Sequence, residues 1–265
     1  MTTGVLAALF VVGVWWLSTG VVLKLVWLPR ATHRFSIAAL GLLALGALYG
    51  LWRSSRVESA GAAYLAFGCA LAVWAWHELT FLLGVVTGPR RLPCAPGAAG
   101  WRRFADATAT LIYHEVALAS TLLAVAALTG GGPNRVGLDT FFVLWIMRLS
   151  AKFNVFLGVR NFADGFVPEH LRYLLSYVRR ARFNPLMPAS LLVATAAAVR
   201  LGGEALSGTA TPFVVVGRVL VTTLLILAIV EHIFLAARVP DAILWRWAIA
   251  TPPPKPLGRV RAGAG

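Results

Sequence analysis

Apolar segments of roughly 20 residues, the length a helix needs to cross a hydrocarbon layer roughly 30 Å thick, recur along almost the whole chain. They occupy approximately residues 4–28, 36–52, 59–87, 101–129, 138–159, 187–202 and 212–237. A chain built this way satisfies its backbone in lipid as a helical bundle. The expected fold is therefore all-α: a polytopic helical membrane protein of about seven transmembrane helices, forming a single integral membrane domain over residues 1–265. With only 13% charged residues, the chain also lies outside the composition of soluble domains. The first segment lacks a basic n-region, is too long for an h-region and carries Trp15-Trp16 in its middle, so it reads as a span rather than a cleaved signal.

The formal charge of +14 is distributed as a topology signal. Arg53, Arg56, Arg135, Arg200 and Arg218 fall on one side of the expected spans, and Arg148 and Lys152 fall inside the fifth. The remaining basic residues follow the first span, join the third to the fourth and the fifth to the sixth, or lie in a basic tail at 238–265. The positive-inside rule then gives an outside N-terminus and a cytoplasmic C-terminus, which requires an odd number of spans. The excess is read as orientation and attraction to the anionic lipid bilayer, not to nucleic acid. Cys69 and Cys94 are expected too far apart to bridge, and neither belongs to a Cys-x-x-Cys pair. Gly46 and Gly50 form a Gly-x-x-x-Gly pair that allows close helix approach.

The connection 160–186 is the longest on the cytoplasmic side. Within it Pro168 can open a helix, Glu169 sits in its first turn and Arg179, Arg180 and Arg182 in its last, which complements the helix dipole. Leu171, Leu174, Leu175 and Val178 recur at helical spacing. This predicts an amphipathic helix on the inner leaflet. It is either a lipid-facing linker or a docking surface for another membrane protein, with Arg172, Tyr173, Tyr177, Arg179 and Arg180 as its contacts.

Three His-Glu couples, His77-Glu78, His114-Glu115 and Glu231-His232, lie inside the third, fourth and seventh apolar segments. Ionisable groups at membrane depth must face the protein interior and find partners. Counting from the span ends, all of them meet Arg148 and Lys152 in the inner half of the bilayer. On the fourth span Asp106, Thr110 and His114 form a stripe at i, i+4 and i+8. Asn154 and Asp106 complete the expected ionic network. Three readings follow: a self-satisfied ion-pair network, a site for a transition metal or a pigment, and proton handling. For a metal the ligands would be His77, Glu78, His114, Glu115, Glu231 and His232; for a pigment, His77, His114 and His232. Each Glu abuts its His, unlike the Glu-x-x-His of helical di-iron sites. No zinc-protease, acyl-transfer or phosphate-cradle motif is present, so no motif supports catalysis.

Several strings occur in an order that resembles the PuhE family of photosynthetic complex assembly proteins in phototrophic bacteria. They are Trp15 to Gly20, Thr87 to Gly97, Tyr113-His114-Glu115, Arg148 to Val159, Pro168 to Leu174, Asn184 to Pro188, Glu231 to Leu235 and Pro240 to Trp247. The resemblance covers about residues 11–250. It implies an inner-membrane assembly factor acting on reaction-centre or light-harvesting polypeptides, or one that modulates bacteriochlorophyll supply. It assigns no catalytic residue. The alternative is a membrane metalloenzyme acting on a tetrapyrrole or lipid through the buried His/Glu cluster.

Overall fold

The computed structural model describes residues 2–162, 164–237 and 247–248; the rest of the expected basic tail at 238–265 lies outside the described residues. Eight α-helices follow in order: α1 Thr2–Val26, α2 His33–Ser54, α3 Ala60–Leu82, α4 Gly100–Ala109, α5 Ile112–Thr129, α6 Val136–Leu157, α7 Leu186–Ala205 and α8 Pro212–Ala236. All except α4 are long and apolar enough to cross a membrane, which makes 7 candidate spans in a multi-pass membrane protein. Helix starts follow local chemistry. The Ser59 hydroxyl accepts the Ala62 N–H at the head of α3, and Thr211 does the same for Val214 before α8, where Pro212 sits in the first turn.

α2 lies along α3, α7 along α8, and α1 against α8 and α3, while α6 runs through the middle against α3, α5, α7 and α8. In lipid there is no hydrophobic gain from helix association, so close packing of small residues takes its place. Ala7, Val11, Ala63, Ala66 and Phe67 are buried where α1, α3 and α8 meet. A Cβ on Gly137 of α6 would lie 2.3 Å from Leu51 Cδ2, and one on Gly50 would lie 2.5 Å from Cys69 Sγ. Gly46, the other half of the expected small-residue pair, has nothing within 4 Å, so only Gly50 serves the α2–α3 contact. Large apolar residues such as Leu42, Leu123, Leu192 and Val193 point outward, as a bilayer-facing surface requires.

The fourth expected span, 101–129, is not one helix. It breaks between α4 and α5 at Thr110-Leu111, because the loop after α3 inserts there. Arg90 N–H donates to Ala109 O (3.1 Å), and His114 N–H donates to Thr87 O (3.0 Å), so backbone groups freed by the break are satisfied by this loop. Gly88 permits the approach, since a Cβ there would lie 2.2 Å from Ala109 O. The break also separates Asp106 from His114, so the expected polar stripe along one helix does not form.

The amphipathic helix expected after Pro168 is instead a 3₁₀ segment, Glu169–Tyr177. It stops because the following backbone pairs with the end of α6. Arg179 N–H donates to Val155 O, Val159 N–H to Arg179 O and Ala181 N–H to Val159 O. This segment, the loop after α3 and the α1–α2 turn gather at one end of the bundle. Asn134 donates to Ser54 O at the other end, joining α2 to the start of α6.

Candidate functional site

The intramembrane charges separate into distinct groups. Glu78 on α3 accepts from Arg148 on α6 at 3.3 Å. Glu115 on α5 accepts from Lys152 on α6 at 2.5 Å and from the Trp145 indole at 3.2 Å. The break before α5 puts Glu115 in the first turn of a helix, where the dipole favours its negative charge. Two carboxylates face two cations, so this block is neutral. Glu78, Glu115 and Lys152 lie about 5–8 Å by helical rise from the ends of their helices at the loop-rich end, and Arg148 lies about 14 Å from it. By this count the four lie toward the same end of their helices.

His114 is enclosed between the two pairs. Its side chain is 0% exposed, its ring lies 4.5 Å from that of Phe81, and neither ring nitrogen has a hydrogen-bond partner. The nearest acid is Glu78, with Oε1 3.9 Å from Nε2, and that oxygen also lacks a hydrogen bond. His77 points elsewhere and shares a 2.9 Å hydrogen bond with Thr121 on α5.

His232 belongs to a separate, neutral relay. Its Nδ1 lies 2.9 Å from Ala228 O, which fixes the proton on that nitrogen, so Nε2 accepts from the Ser150 hydroxyl at 3.0 Å. Each hydroxyl has one proton, so Ser190 in turn donates to Ser150 (3.0 Å). Asn154 donates to Ser190 at 3.2 Å and to Ser150 O at 3.0 Å. The relay ties α6, α7 and α8 together. Glu231, one residue away, faces α1 and accepts from the Trp15 indole at 3.2 Å.

The six residues expected to ligate a metal thus divide among four places: Glu78, Glu115 and His114 together, His77 at Thr121, His232 at Ser150 and Glu231 at Trp15. No three His, Cys, Asp or Glu side chains converge on a possible metal position among the described residues. For a pigment, His77 has Nε2 engaged by Thr121, His232 has both ring nitrogens engaged, and His114 has no open face against which a macrocycle could lie. The residues present fit neither group in this conformation. Asp106 is not in the network either; it lies on α4, 3.7 Å from Arg90.

The expected docking residues are equally divided. Tyr177 is 6% exposed; its hydroxyl takes a hydrogen bond from Arg90 Nε at 2.9 Å and donates to Leu92 O at 3.3 Å. Arg180 pairs with Asp164 at 2.9 Å and Arg172 with Glu169 at 3.0 Å, both at the surface. Tyr173 faces a cavity, and Arg179 lines a second, open depression with Arg103.

A family model described as "Protein of unknown function (DUF3623)" matches residues 1–255. The chain belongs to this family. A curated relative from Rhodobacter capsulatus, named as an uncharacterized 30.4 kDa protein in the puhA 5' region, is 39% identical over 248 residues, covering 92% of this chain and 90% of its own. No solved structure matches. Within this DUF3623 protein, residues that sequence reasoning passed over hold the end of the bundle opposite the loops. Arg218 on α8 reaches Glu204 on α7 at 2.7 Å and Asp139 on α6 at 3.7 Å. In the sequence Arg218 is a topology marker. The acids that answer it, at the ends of apolar runs, were the available signal.

Proposed function

We propose that this protein is a non-enzymatic assembly factor for bacterial photosynthetic complexes, binding reaction-centre or light-harvesting polypeptides within the inner membrane. The N-terminus lies outside and the C-terminus in the cytoplasm, following the positive-inside rule. The loop-rich end, with the basic turns and the 3₁₀ segment, is cytoplasmic. Genomic context supports the role: the Rhodobacter capsulatus relative is named for the puhA 5' region.

The observation that carries the reading is Arg148. It keeps 43% of its side chain accessible although it pairs with Glu78 well inside a membrane span. Glu231 is also exposed. Through Glu78 and Trp15, these residues connect α3 with α6 and α1 with α8, and the accessible guanidinium of Arg148 marks the client-binding gap of this proposal. A charged gap in hydrocarbon demands a complement. A polar position on a client transmembrane segment supplies one, which an enzyme's closed core would not need.

The test is a deletion strain complemented with wild type or Arg148→Leu. Loss of assembled photocomplex with normal free bacteriochlorophyll is the expected result. Loss of pigment before complex would transfer the role to pigment supply. An unchanged complex and pigment profile in the deletion strain would end the proposal.

A further inference from the structure

A cavity of about 340 Å³ opens at the loop-rich end, lined by Arg30 and His33 from the α1–α2 turn, Thr87 and Arg91 from the loop after α3, and His170 and Tyr173 from the 3₁₀ segment. Three separate parts of the chain therefore each contribute a basic residue, and among the described residues no acidic one lines the space.

The walls are built rather than incidental. Arg91 donates to Gly84 O at 3.1 Å, which holds its guanidinium against the end of α3. His170 Nε2 lies 3.0 Å from Leu82 O, and His33 Nε2 lies 2.9 Å from Leu28 O. A backbone carbonyl can only accept, so each ring donates its Nε2–H to the frame and keeps Nδ1 for another partner. Gly84 makes room: its φ is +75°, and a Cβ there would lie 2.8 Å from His170 Cδ2. The hydroxyls of Thr87 and Tyr173 are buried and have no hydrogen-bond partner. Thr87 is 1% exposed, so its hydroxyl is an orphan in the wall.

We infer that this cavity binds a phosphate-bearing anion. Two guanidiniums with no carboxylate among the described lining residues leave a positive concavity that suits an anionic partner. The two orphan hydroxyls can donate to a tetrahedral group with several acceptor oxygens, and each free Nδ1, an acceptor while Nε2 carries the proton, takes the O–H of a singly protonated phosphate. The cavity sits where α1 and α3 end and α2 begins, the level at which lipid phosphates lie. A phospholipid headgroup and a soluble phosphate share this chemistry. The inference is independent of the proposed client-binding gap, which lies on other residues deeper in the span.

The full-length chain in nanodiscs serves as the test. Thermal shift with inorganic phosphate probes the soluble arm. Native mass spectrometry after extraction from phosphatidylglycerol or phosphatidylcholine bilayers probes the lipid arm. Wild type is expected to retain phosphatidylglycerol over phosphatidylcholine, to bind phosphate saturably, or both. Phosphate binding without retained lipid identifies a soluble ligand; retained lipid that phosphate does not displace identifies a headgroup. Arg30→Gln with Arg91→Gln should weaken whichever is bound by roughly tenfold to a hundredfold per arginine, as lost charge-assisted hydrogen bonds predict. Thr87→Val with Tyr173→Phe, which leaves the charge unchanged, should also weaken it and covers the case in which the arginine variant fails to fold. Arg102→Gln with Arg172→Gln removes equal charge outside the cavity and should leave binding intact. Equal loss in that control, no loss in the cavity variants, or no binding in either arm overturns the inference.

Discussion

Replacing Glu115 by Ala removes in one step the acceptor for Lys152 Nζ at 2.5 Å and for Trp145 Nε1 at 3.2 Å. Lys152, with 19% of its side chain accessible, stays behind as an unpaired charge. Breaking a buried pair from one side costs about 3–5 kcal/mol, and an orphaned indole N–H costs about 1–3 kcal/mol. Two effects lower the sum. The groups share one site, so their costs do not add. Lys152 also lies about 8 Å by helical rise from the end of α6, close enough for its long stem to carry the ammonium toward the polar loops. The working expectation is a loss of about 3–4 kcal/mol, more than two orders of magnitude in the folding equilibrium. Glu115→Gln keeps an acceptor for Trp145 and should lose less. Glu115→Leu combined with Lys152→Met and Trp145→Phe removes both charges and the indole donor, and should fall within about 1–2 kcal/mol of wild type. Reversible unfolding by SDS in mixed micelles, followed by tryptophan fluorescence, measures all three. A single Glu115→Ala variant as stable as the triple replacement would refute the reading of this block as a mutually dependent ion-pair network.

Other expectations follow from individual residues. His114→Leu removes an imidazole whose nitrogens have no partner, so stability should be unchanged or rise by about 1 kcal/mol; a loss above about 2 kcal/mol would mean the ring has a partner in the membrane. His232→Leu should cost about 1–3 kcal/mol, because Ser150 loses its acceptor and the relay through Ser190 and Asn154 is cut. Gly88→Ala should cost about 1–3 kcal/mol by overpacking the loop against the α4–α5 break, seen as a lower Tm and faster proteolysis between α3 and α5. Burial pushes the His170 pKa below its ordinary 6.5, and the nearby Arg30, His33 and Arg91 add to this against an opposing hydrogen bond to Leu82 O. The unfolded chain then binds the proton more readily, so this contribution to stability is present above pH 6.5 and is lost as pH falls through 6.5 toward the folded value. His170→Asn should flatten that part of the Tm-versus-pH curve, and an identical curve in the variant would contradict the assignment.

The spans were legible because lipid imposes a length and a polarity that any single segment must meet without help from its neighbours. Hydropathy therefore placed seven long helices near their observed positions, and burial cost marked the intramembrane histidines, acids and cations as one cluster, within which Glu78 pairs with Arg148 and Glu115 with Lys152. What depended on neighbours was not legible. The chain from Gly100 to Thr129 carries no proline or glycine within it to announce a break; the loop from Thr87 to Arg90 causes it by taking the backbone groups of Ala109 and His114. The repeat of leucines after Pro168 is helical in spacing, yet pairing of residues 179–181 with the end of α6 holds that stretch in 3₁₀ and extended form. Adjacent residues on a helix point about 100° apart, so His77 and Glu78, or Glu231 and His232, necessarily serve different neighbours. Which neighbours those are, Thr121 and Arg148 for one couple and Trp15 and Ser150 for the other, was decided only when the helices packed.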